Sequence, residues 1–188
     1  LAGLIESLEG EFNNNIFFDL DKTYKVIDYN YNFSAKIKKT NLKLLNPIKK
    51  EITSQKIQEI YFSDLDIQTV FKPKKISFKS VGKYSFNNKD FTNIKINSNL
   101  AEETENHKID LDYQDDILLD IINYKKTKNS ISNILIDFEK SKNAFTINNL
   151  NFTSGNDLIS LDKLRFNNGN FLSFKEIKVS TTNNDFFI

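Results

Sequence analysis

The side chains most suited to catalysis or metal binding lie between positions 101 and 120, where one histidine and several carboxylates occur together. His107 is the only histidine of the 188 residues, and the chain contains no cysteine. Serine and aspartate are not arranged around His107 as a catalytic triad or a histidine-based metal site requires. The sequence therefore predicts no catalytic residues, and we expect that the protein is not an enzyme.

A group of aspartates in the same region raises the question of calcium. These are Asp110, Asp112, Asp115, Asp116 and Asp120. The spacing of an EF-hand loop, with its central glycine and its terminal glutamate, is absent. Asp110 and Asp112 alternate with apolar residues, which is typical of the hydrated face of a strand. We therefore expect solvated carboxylates, no bound metal and no cofactor.

The charge of the chain argues against one class of partner. The 26 basic residues, of which only Arg165 is an arginine, are balanced by 25 acidic residues, and the net charge is +1. A nucleic-acid-binding surface needs a concentrated basic face. Short lysine runs are common on solvated strand edges and loops. We expect no nucleic-acid partner.

Most elements that would position a site are predicted to be strands. Apolar and polar residues alternate without a break from Ile27 to Ile37, which predicts a strand with one apolar and one polar face. Residues 40–60 are ambiguous, and residues 101–107 read as a charged connection. Further alternation, including a stretch over 117–121, predicts strands as far as residue 144.

The first ten residues follow a different pattern. Leu1, Leu4, Ile5 and Leu8 form one apolar stripe of helical spacing, and Gly10 is a suitable stop. We expect a short helix over residues 1–10 that covers one end or face of the sheet, or that acts as a lid over it.

The last part of the chain, residues 145–188, repeats itself with a period of about fourteen residues. Each copy reads φ-x-φ-x-x-φ-x-φ, where φ is apolar, and ends in a polar turn. The apolar positions are Phe145, Ile147, Leu150 and Phe152, then Ile159, Leu161, Leu164 and Phe166, then Leu172, Phe174, Ile177 and Val179. Phe186 and Ile188 begin a fourth copy. Because this copy is incomplete and the sequence contains no methionine, we expect the array to continue beyond it.

The spacing within a copy favours strands over a helix. Both residues of a φ-x-φ pair lie on one face of a strand, and the two-residue spacer breaks this alternation. A bulge or sharp bend at the spacer would return the second pair to the same face. Gly155-Asn156 and Gly169-Asn170 suit tight hairpins. The repeat predicts an antiparallel meander with one bent strand per copy, whose copies must stack to fold.

This repeat resembles the strand repeats of AsmA-like proteins, which are bacterial envelope proteins of the repeating β-groove type. The resemblance is clearest over residues 130–188, in the segments Phe145–Phe152, Ile159–Phe166 and Leu172–Val179. It implies a mainly β protein with an open, curved antiparallel sheet, shaped like a taco, in the periplasm. It also implies an inner-membrane anchor outside this sequence.

The resemblance further implies that phospholipid moves along the apolar lining of the sheet between the inner and outer membranes. The lining residues would be Ile147, Leu150, Phe152, Leu161, Leu164, Phe166, Phe174, Ile177 and Val179. We therefore expect one groove segment over residues 1–188, with degenerate strands over 11–144 and regular repeats over 145–188. The alternative is a structural or adhesive β-repeat or β-sandwich module, which has a closed core and holds no ligand.

Overall fold

The computed structural model of the protein describes residues 3–48, 56–128, 130–182 and 184–188. These residues are almost entirely in strands. Twelve strands form one antiparallel sheet, and two more form a separate hairpin. The only helical element in the described residues is a 3-10 turn at Asp120–Ile122. The prediction of a mainly β, antiparallel fold is confirmed.

The strands lie across the sheet nearly in sequence order. They are β1 (Gly3–Leu20), β2 (Val26–Ile48), β3 (Ile57–Lys72), β4 (Lys75–Ser85), β5 (Thr92–Ala101), β6 (Thr104–Tyr113), β7 (Ile117–Leu119), β8 (Tyr124–Lys126), β9 (Ser132–Ser141), β10 (Ala144–Ser154), β11 (Asp157–Asn167), β12 (Asn170–Ser173), β13 (Glu176–Ser180) and β14 (Asp185–Phe187). β6 is followed in the sheet by β9, because β7 and β8 form the separate hairpin. β12 pairs only with β11. The fold is a meander with one insertion.

The sheet is open and consists of one layer. β1 and β14 are its two edges, and they do not pair with each other in the described residues. Apart from the β7–β8 hairpin, every strand of the described residues belongs to this one sheet, so no second sheet of comparable size packs on it in the described part of the chain. The β-sandwich alternative is therefore wrong.

The predicted helix over residues 1–10 is also wrong. Residues 1 and 2 lie outside the described residues, and the chain from Gly3 onward forms β1, which pairs with β2. β1 carries an extra residue, Glu6, between Ile5 and Ser7, which shifts its alternation, whereas the extra residue opposite Glu9 and Gly10 is Lys38 of β2.

The bulge at Glu6 and the glycine at position 10 explain the helical appearance of the sequence. Ile5 pairs with Leu42, and Phe12 pairs with Ala35, on the same face of the sheet. The bulge places Leu8 three residues after Ile5, and Gly10 occupies the position between Leu8 and Phe12, so the apolar residues recur at intervals of three and four, as they do on a helix. A Cβ on Gly10 would lie 2.6 Å from the carbonyl oxygen of Lys36, so this glycine permits the close approach of two strands.

The bends predicted at the repeat spacers are confirmed in the first two copies. β10 carries an extra residue, Asn148, relative to β9, and Lys163 in β11 has a left-handed backbone with φ of 54°. Ile147 pairs with Leu164 beside this irregularity, and the alternation then restarts. Asp64 adopts a similar conformation in β3, with φ of 52°.

The third copy departs from the prediction of one bent strand. It is divided into β12 and β13, and the backbone N–H of Lys175, in the break, donates to the carbonyl oxygen of Asp162 at 2.9 Å. The turn before it is Asn168-Gly169, one residue earlier than predicted. Both residues have positive φ, 48° and 78°, as a tight type I′ hairpin requires.

Three shorter predictions also need correction. The connection predicted over 101–107 is only two residues long, because β6 already begins at Thr104. The strand predicted over 117–121 ends at Leu119, where the 3-10 turn begins. In the ambiguous stretch 40–60, β2 continues through Pro47 to Ile48, and residues 49–55 lie outside the described residues.

Candidate functional site

One face of the sheet is apolar across most of its strands. Directly opposed residues of antiparallel neighbours lie on the same face. One such row crosses the second half of the sheet and consists of Leu111, Ile134, Phe152, Ile159, Val179 and Phe186. In the first half, a buried cluster that includes Ala35, Ile60 and Ile94 continues it. We call this side of the sheet the apolar face.

All nine residues predicted to line a groove lie on the apolar face or at its margin. Phe152 and Val179 are buried, with 6% and 2% of their surface exposed. Ile147, Leu150, Leu161, Leu164, Phe166 and Ile177 are half-buried. Phe174 lies in the break between β12 and β13 and is 37% exposed. The structure therefore places the nine residues on one side of the sheet, and they differ in how much of each side chain is exposed to solvent.

An insertion that the sequence did not single out covers one end of the apolar face. It comprises residues 114–128 and 130–131, between β6 and β9, and we call it the cap. Tyr124 of the cap meets Phe152 edge to face, with ring centroids 5.7 Å apart. Ile117 of the cap belongs to the same buried cluster as Tyr113 at the end of β6. The burial of Phe152 is thus due in part to the cap.

A buried lysine closes the base of the cap. Lys126 is 3% exposed, and its Nζ donates to the carbonyl oxygens of Gln114 at 3.1 Å, Asp115 at 2.9 Å and Thr127 at 3.3 Å. The ammonium also lies 5.7 Å from the ring centroid of Tyr113. Burial lowers the pKa of Lys126, and nearby carboxylates oppose this shift. Three carbonyl partners satisfy the charge that burial disfavours.

Two further contacts tie the cap to the hairpin turns beside it. The Tyr124 hydroxyl donates to the carboxylate of Asp157 at 3.1 Å, and burial together with this carboxylate raises the pKa of Tyr124 to about 12. Nδ2 of Asn184 donates to the carbonyl oxygen of Ile122 at 2.7 Å. These bonds hold the cap over the ends of β10, β11 and β13.

The opposite end of the apolar face is lined with aromatic rings. A row runs from β6 to the break after β12, with successive ring centroids between 4.8 and 6.3 Å apart. We call it the aromatic row: His107, Phe138, Phe145, Phe166, Phe171 and Phe174. Phe171 is 56% exposed. Such rings attract each other and form a continuous apolar surface.

A shallow depression of about 610 Å³ opens beside Phe145 and Phe166, between the β9–β10 and β11–β12 turns. Lys140 and Lys142 border it. Nζ of Lys140 lies 3.5 Å from Oε1 of Glu105. Lys142 is exposed and forms no ion pair with any described residue. The site thus combines an apolar floor with cationic margins.

The histidine and two of the aspartates contact neighbouring side chains of the sheet. His107 stacks on Phe138, and its Nδ1 lies 2.9 Å from Oγ of Ser98. Asp110 and Asp112 both accept hydrogen bonds from Nδ2 of Asn133, at 2.7 and 3.4 Å. Within the ranges that the structure describes, no group of three or more histidine, aspartate or glutamate side chains could hold a metal ion.

Sequence reasoning missed the cap and the aromatic row as units. The sequence contains an indication of the aromatic row, because Phe145, Phe166 and Phe171 each lie one residue from the end of a strand. A signal for the cap was weaker. The alternation is interrupted at the polar run 114–116 and again over the polar run 123–130, so the stretch 117–121 is set apart from the strands on both sides.

No helix in the described residues is long and apolar enough to cross a membrane. Comparison of the chain with protein-family models, with curated proteins and with solved structures found no match. The apolar face, the cap and the aromatic row are the features of the described residues that indicate a function.

Proposed function

We propose that the apolar face binds lipid acyl chains and that the protein is a segment of a groove that conducts phospholipid. The observation that carries the proposal is an open sheet whose apolar face is covered by the cap at one end and is accessible in the depression beside Phe145 at the other. An apolar surface of this extent is expected to have an occupant. Acyl chains suit it, because they need no polar partner.

The energetics favour exchange with a membrane. Burial of a methylene group contributes about 0.8 kcal/mol, and a chain on the apolar face recovers this energy for the side that it turns to the sheet. The apolar cost of transfer from the bilayer is therefore reduced, and binding is not specific for one chain. A surface of half-buried Ile, Leu and Phe side chains without a deep cavity is suited to such exchange.

The finer parts of the proposal follow the resemblance to AsmA-like proteins. They are a curved, taco-like groove in the periplasm, an inner-membrane anchor outside this sequence, and movement of phospholipid between the two membranes. The spacer bulges support the curvature, because each bulge bends its strand and increases its twist.

The experiment that tests the proposal compares two adjacent residues on opposite faces of β11. Leu164 is half-buried on the apolar face, whereas Arg165 is exposed on the other face. Purified wild type and the variants Leu164→Asp and Arg165→Asp are incubated with phospholipid vesicles, separated from them and measured by native mass spectrometry. Wild type and Arg165→Asp should carry lipid, and Leu164→Asp should not. Circular dichroism checks that both variants keep their strands.

Phe152 is a poor choice for this experiment, since it is buried beneath the cap. A wild type that remains free of lipid would contradict the proposal and favour the alternative of a structural or adhesive repeat. One observation supports that alternative: the edge strand β1 offers eighteen residues for pairing.

A further inference from the structure

The two ends of the apolar face differ in a way that bears on the ligand, if the proposed function is correct. At one end the cap covers the row at Phe152. At the other end the aromatic row and the depression beside Phe145 are accessible. A lipid that lies along the strands can therefore extend its chains toward the cap only as far as Phe152.

The accessible length between these ends matches one acyl chain. The stretch from Phe145 to Leu150 covers about 13 Å, because it lies opposite four residue steps of β9, from Lys140 to Ile136, at ~3.3 Å per residue. One leaflet contributes about 15 Å to the hydrocarbon core of a bilayer. A volume of about 610 Å³ also falls within the range of roughly 300–1,000 Å³ that is usual for small-molecule sites.

The charges at the uncapped end favour an anionic headgroup. Five connections lie at this end, and they contain seven charged side chains, of which four are lysines. Lys142 stands at the margin of the depression without an ion-pair partner among the described residues. A phosphate of net negative charge would pair with it, whereas a zwitterionic headgroup carries its own cation. Hydrogen bonds between charged groups are the stronger kind.

We infer that the site takes an anionic phospholipid, with its phosphate beside Lys142 and Lys140 and its chains directed along β10 and β11 toward the cap. Phe145 and Phe166 then contact the first part of the chains, and Ile147 and Leu164 the next part. The cap sets the far limit.

The headgroup is tested by loading the purified chain from vesicles of phosphatidylcholine mixed with an equal amount of phosphatidylglycerol of the same acyl chains. Native mass spectrometry counts each bound lipid. Wild type should enrich phosphatidylglycerol by up to about fivefold, as an exposed ion pair allows, and Lys142→Glu should abolish this enrichment while it still binds phosphatidylcholine. Lys79→Glu makes the same change of charge at an exposed position on the opposite face and should behave as wild type.

The orientation is tested with fluorescent labels, since the chain has no cysteine of its own. A label on Ala144→Cys should be quenched by a lipid with a quencher on its headgroup, and a label on Leu150→Cys by one with a quencher in its chain. The reverse pattern overturns the orientation. Equal loading of both lipids by wild type, or equal loss of enrichment in both charge variants, overturns the headgroup assignment alone. A wild type that loads neither lipid contradicts the proposed function as well.

Discussion

The ring of Tyr124 meets the ring of Phe152 edge to face, with the ring planes inclined by 76° and the centroids 5.7 Å apart. This contact joins the cap to β10, and the hydroxyl of the same tyrosine reaches Asp157 in the next turn. The cap therefore depends on one side chain for an apolar and a polar contact together, and the two can be separated by mutation.

Tyr124→Ala should lower the free energy of unfolding by about 3–5 kcal/mol, because it removes a buried ring. Tyr124→Phe keeps the ring and loses only the hydrogen bond to Asp157, so that its cost should be about 1.5–3 kcal/mol at most. Urea denaturation measures both. Hydrogen exchange should show faster opening of the cap in Tyr124→Ala. Equal effects of the two variants would contradict the packing role of the ring.

Stability should fall in alkaline solution because of the tyrosines around the cap. Burial raises the pKa of Tyr113 and of Tyr124 to about 12, whereas a tyrosine in the unfolded chain titrates near 10. The folded state holds these protons more tightly, so the contribution to stability is complete below pH ~10 and is lost as the pH rises toward ~12. Burial also raises the pKa of Tyr84.

The pKa of Lys126 shifts in the opposite direction, because burial lowers it. Its deprotonation offsets part of the alkaline loss of stability. Denaturation at a series of pH values, together with tyrosinate absorbance, checks the prediction. The variants Tyr113→Phe and Tyr124→Phe should each flatten the pH dependence, and an unchanged slope in both would contradict the assignment.

The spacer bulge of β11 offers a stabilising substitution. Lys163 has φ of 54°, a conformation that costs a non-glycine residue about 1–3 kcal/mol. Lys163→Gly removes this strain but increases the conformational entropy lost on folding, so we expect a net gain of about 0.5–1 kcal/mol. Lys163→Val should instead destabilise by about 1–2 kcal/mol, because a β-branched residue tolerates positive φ poorly. Thermal and urea unfolding measure both, and a stabilising valine would be inconsistent with the bulge.

The edge strand β1 should promote self-association. It has no lysine or arginine between Gly3 and Leu20, and lysine is a common means of blocking edge pairing. Phe17 is 62% exposed and pairs with Asn30. Phe17→Lys should change the unfolding free energy by about 0.5 kcal/mol or less and reduce concentration-dependent association in analytical ultracentrifugation. Lys79→Glu serves as a control away from the edge.

Much of the fold could be predicted from the sequence, because alternation within a strand is a local property. The strand over 27–37, the bent repeats of β10 and β11 and the shared face of Ile147 and Leu164 all follow from the spacing of apolar residues and from turn chemistry. The same kind of spacing led to the wrong prediction of a helix at residues 3–10. One bulge in β1 and a glycine at position 10 give apolar intervals of three and four, and only pairing with β2 shows that these residues form a strand.

Tertiary structure alone decided whether the apolar face was covered. A buried strand face and an accessible one have the same alternating pattern, because the pattern does not record what lies opposite. The cap over Phe152 depends on contacts between Tyr124, Asp157 and Asn184, which are distant in sequence, and the uncapped end depends on five turns that meet only in the folded sheet. The sequence by itself determined which side chains share a face, and the arrangement of the chain in space determined which of them a ligand can reach.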